Sequence, residues 1–352
     1  MTSRGEAVYR ARQVRRHLFA GDVDGFADMT DLPTALRDAL DAAFAFSALR
    51  LETDVVSQDR ETHKGLFELQ DGRKIESVLM PYHRMGDGGE WIVERNAVCF
   101  STQVGCAMGC AFCATGEMGL ARNLTAAEIV DQVRYWQRIL NRRGERVSHL
   151  VAMGMGEPLH AYEPTVTAVR TFVDPEAFGI SARRVTISTA GVVPQIEALA
   201  GEGLPINLAV SLHAPNDEVR RAIMPIDRRW NIDELLAAAR GYVRKTRRRL
   251  TFEYVLLAGV NDAPEHASEL VTRVRGDGTV PLSLFHVNLI PVNRGPGGFR
   301  RPSEDRMERF AQILRTGGLA ASVRISRGQD IAAGCGQLKT EVERRPAKAQ
   351  PA

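Results

Sequence analysis

Three cysteines lie close together in the segment VGCAMGCAFCATG, with the spacing C-x-x-x-C-x-x-C: Cys106, Cys110 and Cys113. Three thiolates at this spacing suit three corners of a cubic iron–sulfur cluster, and a fourth ligand is missing nearby. An iron without a protein ligand is open to a small molecule. The segment therefore predicts a [4Fe-4S] cluster that takes part in chemistry rather than one that only stabilises a fold.

Zinc and a disulfide are the alternatives for such a segment. A structural zinc site usually needs a second cysteine pair or a pair of histidines at short spacing, and the first histidine after Cys113 is His149. A disulfide is disfavoured because the chain lacks a secretory signal. The local motif favours the cluster and leaves zinc as the alternative.

Length and composition are those of a globular enzyme. The chain has 352 residues, of which 44% are hydrophobic and 25% charged. It has no apolar run of about eighteen residues that could form a membrane-spanning helix. The basic N-terminus lacks the apolar core of a signal peptide. We expect a cytoplasmic protein with no membrane partner.

The positive charges are clustered, although the net charge is only +3. Such clusters can neutralise phosphates of a nucleic acid, but basic helix faces are also commonly just solvated, so charge alone leaves both interpretations open. The first cluster lies near the N-terminus and the second in the middle of the chain: Arg10, Arg12, Arg15 and Arg16, then Arg244, Lys245, Arg247, Arg248 and Arg249, with the pairs Arg183–Arg184 and Arg228–Arg229.

The elements that must position the cysteines change in type along the chain. Residues 1–48 show helical periodicity, with Val14 and Leu18 four apart and a proline at a helix start. From Leu51 to Met80 the pattern alternates as in strands, around the turn signal Asp71-Gly72. Residues 81–95 form a glycine-rich loop or hairpin that leads to the cysteines.

Beyond the cysteines, strand-like and helical segments alternate. Repeated βα units imply a parallel sheet, either curved into a barrel or open and doubly wound, with functional residues at the carboxyl ends of the strands. In GMGEP the carboxylate of Glu157 follows a strand and could hold the ammonium group of an amino-acid-like cofactor. The other strand ends of this kind are STAG, SLHAPND and NLIPVN.

These motifs together resemble the radical S-adenosylmethionine superfamily, and within it the RlmN and Cfr group of RNA adenine methyltransferases. The resemblance extends from about Tyr9 to Leu338 and includes RRVTISTAGVVP, FEYVLLAGVND and GCGQL. It implies a partial (βα)6-type barrel with a small N-terminal helical module and a short β extension. The expected parts are a helical RNA-binding module at 1–48, a β-rich extension at 49–98, the barrel core at 99–338 and a disordered tail at 339–352.

The resemblance also implies cofactors and site residues. Cys106, Cys110 and Cys113 would bind a [4Fe-4S] cluster, and two molecules of S-adenosylmethionine would be used per turnover. An external electron donor of flavodoxin or ferredoxin type is expected, and the protein is expected to be a monomer. The residues that should line the S-adenosylmethionine pocket are Gly156, Glu157, Ser188, Ser211, Leu212, His213 and Asn293.

The remaining two cysteines, Cys99 and Cys335, occupy the positions of this group's non-cluster cysteines. Adenine carbons 2 and 8 are electron-poor, so the methyl of S-adenosylmethionine finds no nucleophile there. In the mechanism implied by the resemblance, Cys335 takes a methyl, a 5′-deoxyadenosyl radical removes a hydrogen from it, and the carbon radical adds to adenine. Cys99 then attacks the Cys335 sulfur and releases the product. Glu76 or Cys99 would accept the proton; otherwise Glu76 is an exposed strand residue.

GEP and SRGQDI resemble the carbon 2 enzymes, which implies an adenine of 23S rRNA and the adenine beside the anticodon of tRNA as substrates. The alternatives are carbon 8 methylation, a noncatalytic zinc-containing RNA-binding protein, and a radical enzyme for a small molecule. The chain departs from the group at Ala332 and Gly334, and the extra glycine is expected to loosen the loop before Cys335. The segment between Glu76 and Cys99 is also longer than in many relatives.

Overall fold

The computed structural model of the chain describes residues 6–20, 23–324 and 327–340. Its strands are β1 (Leu49–Val56), β2 (His63–Leu69), β3 (Lys74–Met85), β4 (Trp91–Cys99), β5 (Gln103–Gly105), β6 (Leu120–Asn123), β7 (His149–Ala152), β8 (Val185–Thr189), β9 (Asn207–Ser211), β10 (Leu250–Leu256), β11 (Phe285–Pro291) and β12 (Ala320–Val323). Its α-helices are α1 (Val8–Ala20), α2 (Thr34–Asp41), α3 (Ala114–Glu117), α4 (Ala126–Asn141), α5 (Tyr162–Val173), α6 (Val193–Leu199), α7 (Asp217–Ile223), α8 (Ile232–Thr246), α9 (Pro264–Arg275) and α10 (Glu304–Thr316).

One ten-stranded sheet has the order β1-β2-β3-β4-β7-β8-β9-β10-β11-β12, and β5 pairs with β6 in a separate ribbon. Strands β1 to β4 pair antiparallel, whereas every pair from β4–β7 to β11–β12 is parallel. Each connection between successive parallel strands contains at least one helix, as parallel pairing requires. The predicted βα alternation is confirmed.

The sheet is curved into a partial barrel rather than open and flat. Residues from eight successive strands line a single cavity, which is possible only if the sheet wraps around it. One such residue from each strand, from β3 to β12, is Tyr82, Arg95, Val151, Thr186, Ala209, Glu253, Asn288 and Val323. The predicted barrel fold is therefore confirmed, and the doubly wound alternative is wrong.

Helix α4 packs against the outside of the barrel at the β extension. Its first turn has a capping box, in which Thr125 Oγ1 accepts from the Glu128 backbone and Glu128 accepts from the Thr125 backbone. Trp136 of this helix is fully buried, and its indole N–H donates to Ser77 Oγ of β3 at 3.1 Å. The cap and this anchor tie the helix to the strands that precede the cysteines.

The β extension consists of four consecutive strands, β1 to β4, joined by three hairpin turns. The turn at Asp71-Gly72 joins β2 to β3, with Gly72 at φ +78°, in the left-handed region that favours glycine. Strands β3 and β4 continue past the barrel as a long hairpin, and the exposed Met85 and Trp91 are paired at its tip. The segment 81–95, predicted to be a loop or hairpin, is this hairpin.

Helices α1 and α2 have an apolar cluster of their own, separate from the main core. Its buried members are Val14, Phe26, Met29, Leu32, Leu36 and Leu40. Several contacts join this part to the barrel: Phe19 packs on Phe178 with ring centroids 5.2 Å apart, Arg15 pairs with Asp174 at 2.5 Å, and Asp24 pairs with Arg142 at the end of α4 at 3.1 Å. Two packed helices thus lie within the predicted module at 1–48, whose boundary stays a prediction.

The predicted tail needs one correction at its start. The Lys339 backbone N–H donates to Glu76 at 2.9 Å, and Thr340 is buried against β3. These two residues are ordered because they continue the chain segment that packs beside β3, so they do not belong to the predicted tail. The remaining residues of the prediction, 341–352, lie outside the described residues. Among the described residues, no helix combines the length and the apolarity that spanning a membrane requires.

Candidate active site

The loop that carries three cysteines lies between β5 and α3, at the carboxyl end of the barrel. The Cys106 backbone N–H donates to Gly119 O at 2.9 Å, and Ala111 N donates to Ile223 O at 2.9 Å. Gly105 has φ +75°, and a Cβ on it would collide with the Gly119 carbonyl. The loop therefore has a defined path that starts at a position where only glycine fits.

The three thiols are close enough to influence one another. Burial raises the pKa of Cys106 to about 12 and that of Cys110 well above its usual value, and negative charge on neighbouring cysteines adds to both shifts. Among the described residues, no three His, Cys, Asp or Glu side chains converge on the position of a single metal ion. A multi-iron cluster, which spreads its ligands and whose positive charge stabilises thiolates, fits this donor set.

The three cysteines line a cavity of about 160 Å3, which we call the cluster cavity. Six of the seven predicted S-adenosylmethionine residues also line it: Gly156, Glu157, Ser188, Ser211, His213 and Asn293. Leu212 does not. Its fully buried side chain points elsewhere, while its backbone N–H donates to Glu253 O and its carbonyl accepts from Arg220. The structure therefore brings the predicted cluster ligands and six predicted pocket residues to one place.

Glu157 is held in the wall of the cluster cavity by backbone groups. Its carboxylate accepts from Leu159 N at 2.9 Å and from Ala190 N at 2.6 Å. Burial raises its pKa to about 7, against the effect of these hydrogen bonds. Gly156 has φ +106°, and a Cβ there would lie 2.6 Å from the side chain of Gln103. This arrangement places a carboxylate in the cavity wall, and its role in holding a ligand ammonium group stays a prediction.

His213 is a neutral wall residue rather than a base. Its Nδ1 accepts from Val255 N at 2.9 Å, and burial lowers its pKa to about 3. Its ring meets the edge of Phe112, with centroids 5.0 Å apart, so the aromatic before the last cysteine packs directly on it. His213 thus supports the cysteine loop from the end of β9.

Cys99 and Cys335 meet in a second, smaller cavity of about 20 Å3, which we call the thiol cavity. Cys335 lines both the thiol cavity and the cluster cavity, whereas Cys99, at the end of β4, lines only the thiol cavity. Burial raises the pKa of Cys99 to about 12, and a charge on Cys335 would raise it further. Cys335 therefore lies between the cluster ligands and Cys99.

The loop around Cys335 is fixed, contrary to the expectation that Gly334 would loosen it. Asn293 Nδ2 donates to Cys335 O at 3.1 Å, and Gly334 N donates to Gln337 Oε1 at 3.1 Å. A Cβ on Gly334 would lie within 2.7 Å of both side-chain ends. The glycine therefore makes room for the two side chains that hold the loop.

Glu76 is buried, so the alternative of an exposed strand residue is wrong. Its carboxylate pairs with Lys64 Nζ at 3.0 Å and accepts from Lys339 N at 2.9 Å. Burial raises its pKa, and Lys64 opposes that effect. Glu76 lines neither the cluster cavity nor the thiol cavity. The structure does not bring it together with the two thiols.

Two charged residues of the cluster cavity, Glu253 and Arg324, have no counterpart among the predicted ones. Glu253 lies inside the buried strand β10, and a charge in such a strand is a signal that could have pointed to it, because such charges are rarely tolerated without a role. Arg324 directly follows the half-buried strand β12, and no pattern in the sequence marks it.

Two family models match parts of this chain. Residues 100–271 match the Radical SAM superfamily, and residues 1–45 match the Ribosomal RNA large subunit methyltransferase N-terminal domain. A probable dual-specificity RNA methyltransferase RlmN of Symbiobacterium thermophilum is 47% identical over 98% of this chain and 89% of that protein. The ribosomal RNA large subunit methyltransferase N of Nitrosopumilus maritimus is 44% identical over 95% of this chain and 93% of that protein.

A solved structure is similar over nearly the whole fold. The crystal structure of a radical SAM methyltransferase from Sphaerobacter thermophilus has a TM-score of 0.89 and 47% sequence identity, and covers 97% of this chain and 95% of that one. The barrel, the cysteine loop and these similarities define the class of the protein as a radical S-adenosylmethionine enzyme, which uses a [4Fe-4S] cluster and S-adenosylmethionine.

Within that class, the chain belongs to the RlmN family of RNA methyltransferases. The resemblance inferred from the motifs is confirmed. The alternative of a noncatalytic zinc protein is wrong, because members of this family are methyl-transferring enzymes.

Proposed function

We propose that the chain methylates carbon 2 of adenine in 23S rRNA and in tRNA through a methyl group carried on Cys335. The observation that carries the proposal is the position of Cys335, which lines both the cluster cavity and the thiol cavity that it shares with Cys99. A thiol at this junction can receive a methyl group from the side of the cluster cavity. On the side of the thiol cavity, Cys99 can then attack the sulfur and release the product.

The cluster ligands in this proposal are Cys106, Cys110 and Cys113, and Glu157 would hold the ammonium group of S-adenosylmethionine. When bound, the cluster and S-adenosylmethionine supply the methyl group of Cys335 and the radical chemistry that activates it. Ser188, Ser211 and Asn293 line the same cavity and have polar groups for the rest of the cofactor.

Cys335 is oriented for its role by the chain itself. Asn293 holds its carbonyl, and the Ala114 backbone N–H of the cysteine loop donates to Gly336 O at 2.8 Å. These bonds fix the Cys335 loop against the cysteine loop, so the two reacting regions keep a constant relation. Positioning of this kind lowers the entropic part of a reaction barrier.

Cys99 would release the product. Its thiolate attacks the Cys335 sulfur, a sulfur–sulfur bond forms, and the bond from that sulfur to the transferred carbon breaks. The electron pair of the broken bond stays with the transferred carbon, which takes up the proton removed earlier from the adenine and so becomes the methyl group of the product. An external donor of flavodoxin or ferredoxin type would reduce the disulfide back to the two thiols. The buried position of Cys99 protects its thiol from other oxidants between turnovers.

The proton of the adenine carbon would be taken by Cys99 or by Glu76. Cys99 lines the cavity with Cys335, whereas Glu76 is held outside it by Lys64 and Lys339. This difference favours Cys99 as the acceptor and gives Glu76 the role of holding the segment that follows Cys335.

Carbon 2 rather than carbon 8 is supported by the segments GEP and SRGQDI, and RNA by the names of the relatives, one of which is called a dual-specificity RNA methyltransferase. The test is nucleoside mass spectrometry on rRNA and tRNA after anaerobic incubation with the cluster-loaded protein, a reductant and methyl-labelled S-adenosylmethionine. Labelled 2-methyladenosine supports the proposal. Labelled 8-methyladenosine would move the chain to the carbon 8 alternative, and an unlabelled RNA pool would contradict both.

The two thiols are tested separately. Cys335→Ala should abolish RNA methylation, whereas Cys99→Ala should accumulate RNA covalently bound through Cys335, visible as a nuclease-sensitive band of higher mass. Iron content and cleavage of S-adenosylmethionine serve as controls for an intact cluster. A Cys99→Ala protein with an intact cluster and no bound RNA would contradict the two-thiol mechanism.

A further inference from the structure

A third cavity, of about 610 Å3, lies inside the barrel below the thiols, and we call it the arginine cavity. The residues used here from its lining are Tyr82, Arg95, Glu253, Asn288, Arg324 and Arg327. Its volume falls in the range of about 300–1,000 Å3 that is usual for ligand sites. None of the chemistry assigned above to the cluster cavity uses this space.

The arginine cavity adjoins the reacting thiols. Tyr82, Arg324 and Arg327 line both this cavity and the thiol cavity of Cys99 and Cys335. Arg324 also lines the cluster cavity, so it stands where all three cavities meet. A molecule in the arginine cavity would therefore have its inner end beside Cys335.

Three side chains form a stack at one wall of this cavity. The Tyr82 ring lies between two guanidinium groups, with Arg95 at 3.9 Å and Arg327 at 4.4 Å from its centroid. Arg327 is paired with Glu61. Arg95 is not tied in this way: its Nε is buried without a hydrogen-bond partner among the described residues. The stack thus presents an unpaired guanidinium that is held in place by an aromatic ring.

The charge of the cavity calls for an anionic, acceptor-rich ligand. Three arginines line it against a single carboxylate, that of Glu253, which accepts from Asn288 Nδ2 at 2.8 Å and also interacts with the charge of Arg324. The Arg324 guanidinium donates no hydrogen bond to another described residue. Guanidinium groups have donors and no acceptor, and they match phosphate oxygens and ring nitrogens.

More arginines surround the open end of the cavity, at the amino ends of the strands. The Arg248 guanidinium donates to Asn207 Oδ1 at 2.9 Å, and the Arg249 guanidinium lies 2.8 Å from His286 Nδ1. Asn207 and His286 line the cavity. Arg183 and Arg184 are exposed beside them, just before β8. Phosphates that flank a bound nucleotide would meet this positive rim.

From these contacts we propose that the arginine cavity holds the target nucleotide of RNA, turned out of its helix or loop and inserted from the amino ends of the strands. Arg95, beside Arg327, binds its phosphate, and Arg324 donates to a ring nitrogen next to the carbon that receives the methyl. The proposal rests on the proposed function and adds the substrate site to it.

The site accounts for two features that the cofactor site leaves unused. The hairpin of β3 and β4 supplies Tyr82 and Arg95 from its base, so these two residues build one wall of the cavity. The pairing Tyr82↔Arg95 lies directly beside a register shift in that hairpin, and such bulges redirect side chains. The hairpin is thus a substrate-binding element rather than a passive extension.

The experiment compares Arg95→Gln with Arg84→Gln in the full-length, cluster-loaded protein. Arg84 is the matched control, since it lies on the same hairpin, is exposed and does not line the cavity. The substrate is a transcript of an anticodon stem-loop with adenine beside the anticodon. Initial rates at varied RNA concentration and varied salt give kcat, KM and the slope of log affinity against log salt. Iron content, and label on Cys335 without RNA, report the cofactor site of each variant.

We expect Arg95→Gln to raise KM for RNA about tenfold or more, because a charge-assisted contact to phosphate is lost. The slope of log affinity for RNA against log salt should become shallower by about 0.7, which is the value for one phosphate contact of a single-stranded nucleic acid. Arg95→Lys should recover most of the slope, because the charge is kept. Arg84→Gln should behave as the wild type.

Three results would overturn the site. Equal KM and slope for Arg95→Gln and Arg84→Gln would show that the cavity does not bind the RNA phosphate. If Arg95→Gln loses the label on Cys335, Arg95 belongs to the cofactor site. If Arg95→Gln raises only the KM for a protein electron donor, the arginine cavity is a docking site for that donor. Failure of the wild type itself to methylate the RNA would contradict the proposed function instead.

Discussion

At the scale of single residues, Gly334 shows how one missing methyl group positions a reactive thiol. The ends of Gln337 and Asn293 occupy the space where a Cβ would lie, at 2.6 and 2.7 Å. Asn293 uses that space to hold the carbonyl of Cys335. The two side chains are flexible, so an added methyl would displace them rather than unfold the protein.

We therefore predict that Gly334→Ala retains wild-type thermal stability to within a few degrees and loses about tenfold in kcat for RNA methylation. The loss should appear already in the rate at which Cys335 is labelled, because the thiol loop shifts. Single-turnover labelling of Cys335 measures this. A Gly334→Ala protein that labels Cys335 at the wild-type rate would show that the Asn293 contact is unimportant.

Glu76 can be tested by a pair of substitutions. If it anchors the segment after Cys335, Glu76→Gln keeps an acceptor for Lys339 N and retains most activity, while Glu76→Ala loses about tenfold. If Glu76 instead takes the proton of adenine, both variants lose activity to the same large extent. We expect the first result, measured as the release rate of methylated RNA, since Glu76 lines neither of the two cavities that contain Cys335.

The residue types that the sequence identified best are those whose chemistry is local. The spacing of the three cluster cysteines is short, so one loop brings them together, and GMGEP places Glu157 directly after its strand. Arg324, Glu253 and Arg95 could not be found in this way. Their roles depend on which strand face points inward and on neighbours far away in the sequence, which a linear pattern does not contain.

At the scale of elements, a charged network connects the β extension with the start of α4. Arg122 of β6 makes a bidentate contact with Glu128, at 2.8 and 2.9 Å, and donates to Asp71 at 2.7 Å. Glu128 also belongs to the capping box of α4. The Arg122 side chain therefore connects three elements near the cysteine loop: the turn between β2 and β3, the β5–β6 ribbon and the first turn of α4.

Replacing Arg122 by Met should lower the free energy of unfolding by about 2 kcal/mol, because two carboxylates lose charge-assisted partners. Arg122 lowers the pKa of Asp71; for Glu128, burial raises the pKa but hydrogen bonds from Arg122 and Thr125 outweigh it. Both folded-state pKa values are thus below their unfolded values. The network's contribution is complete above about pH 5 and is lost as the pH falls through the folded values.

The measurement is chemical denaturation of wild type and Arg122→Met between about pH 3 and pH 7, which spans the unfolded-state titration of both carboxylates. The difference in stability should be largest near neutral pH and shrink toward the acid end. A difference that stays constant over this range would mean that Arg122 contributes by packing of its aliphatic part rather than by its charge.

The order of elements followed from the sequence, whereas their curvature did not. Alternating apolar strands and amphipathic helices predicted the parallel sheet, and its strands appear where the patterns placed them. Barrel and open sheet share this pattern, and only the inward side chains of eight strands around one cavity distinguish them. Whether the sheet curves into a barrel depends on long-range packing, which explains why the periodicity of the sequence could not decide between the two folds.

At the scale of the whole molecule, the two arginine clusters differ in what their charges already contact. On α1, Arg16 pairs with the Asp31 carboxylate and Arg15 with Asp174, so two of these charges are balanced within the protein, while Arg10 donates to the Asp31 backbone carbonyl. At the amino ends of the barrel strands, exposed arginines surround the arginine cavity. Electrostatics therefore favours the barrel rim over α1 as the main surface for phosphate.

We predict a corresponding difference in salt dependence. The triple variant Arg183→Gln, Arg184→Gln, Arg249→Gln should reduce the slope of log affinity for RNA against log salt by about 2, the effect of three lost phosphate contacts. The double variant Arg12→Gln, Arg16→Gln on α1 should change it by less than about 0.7, the effect of one such contact. Filter binding of the anticodon stem-loop transcript from low to physiological salt measures both.

The comparison separates two pictures of how RNA approaches the thiols. Entry from the amino ends makes the rim the route to Arg324 and Cys335, so its charges control encounter and KM together. Entry beside α1 would reverse the order of the two slopes and leave the rim variant at the wild-type value. Because the two clusters lie on different parts of the fold, one set of titrations decides between them, and it does so without requiring turnover.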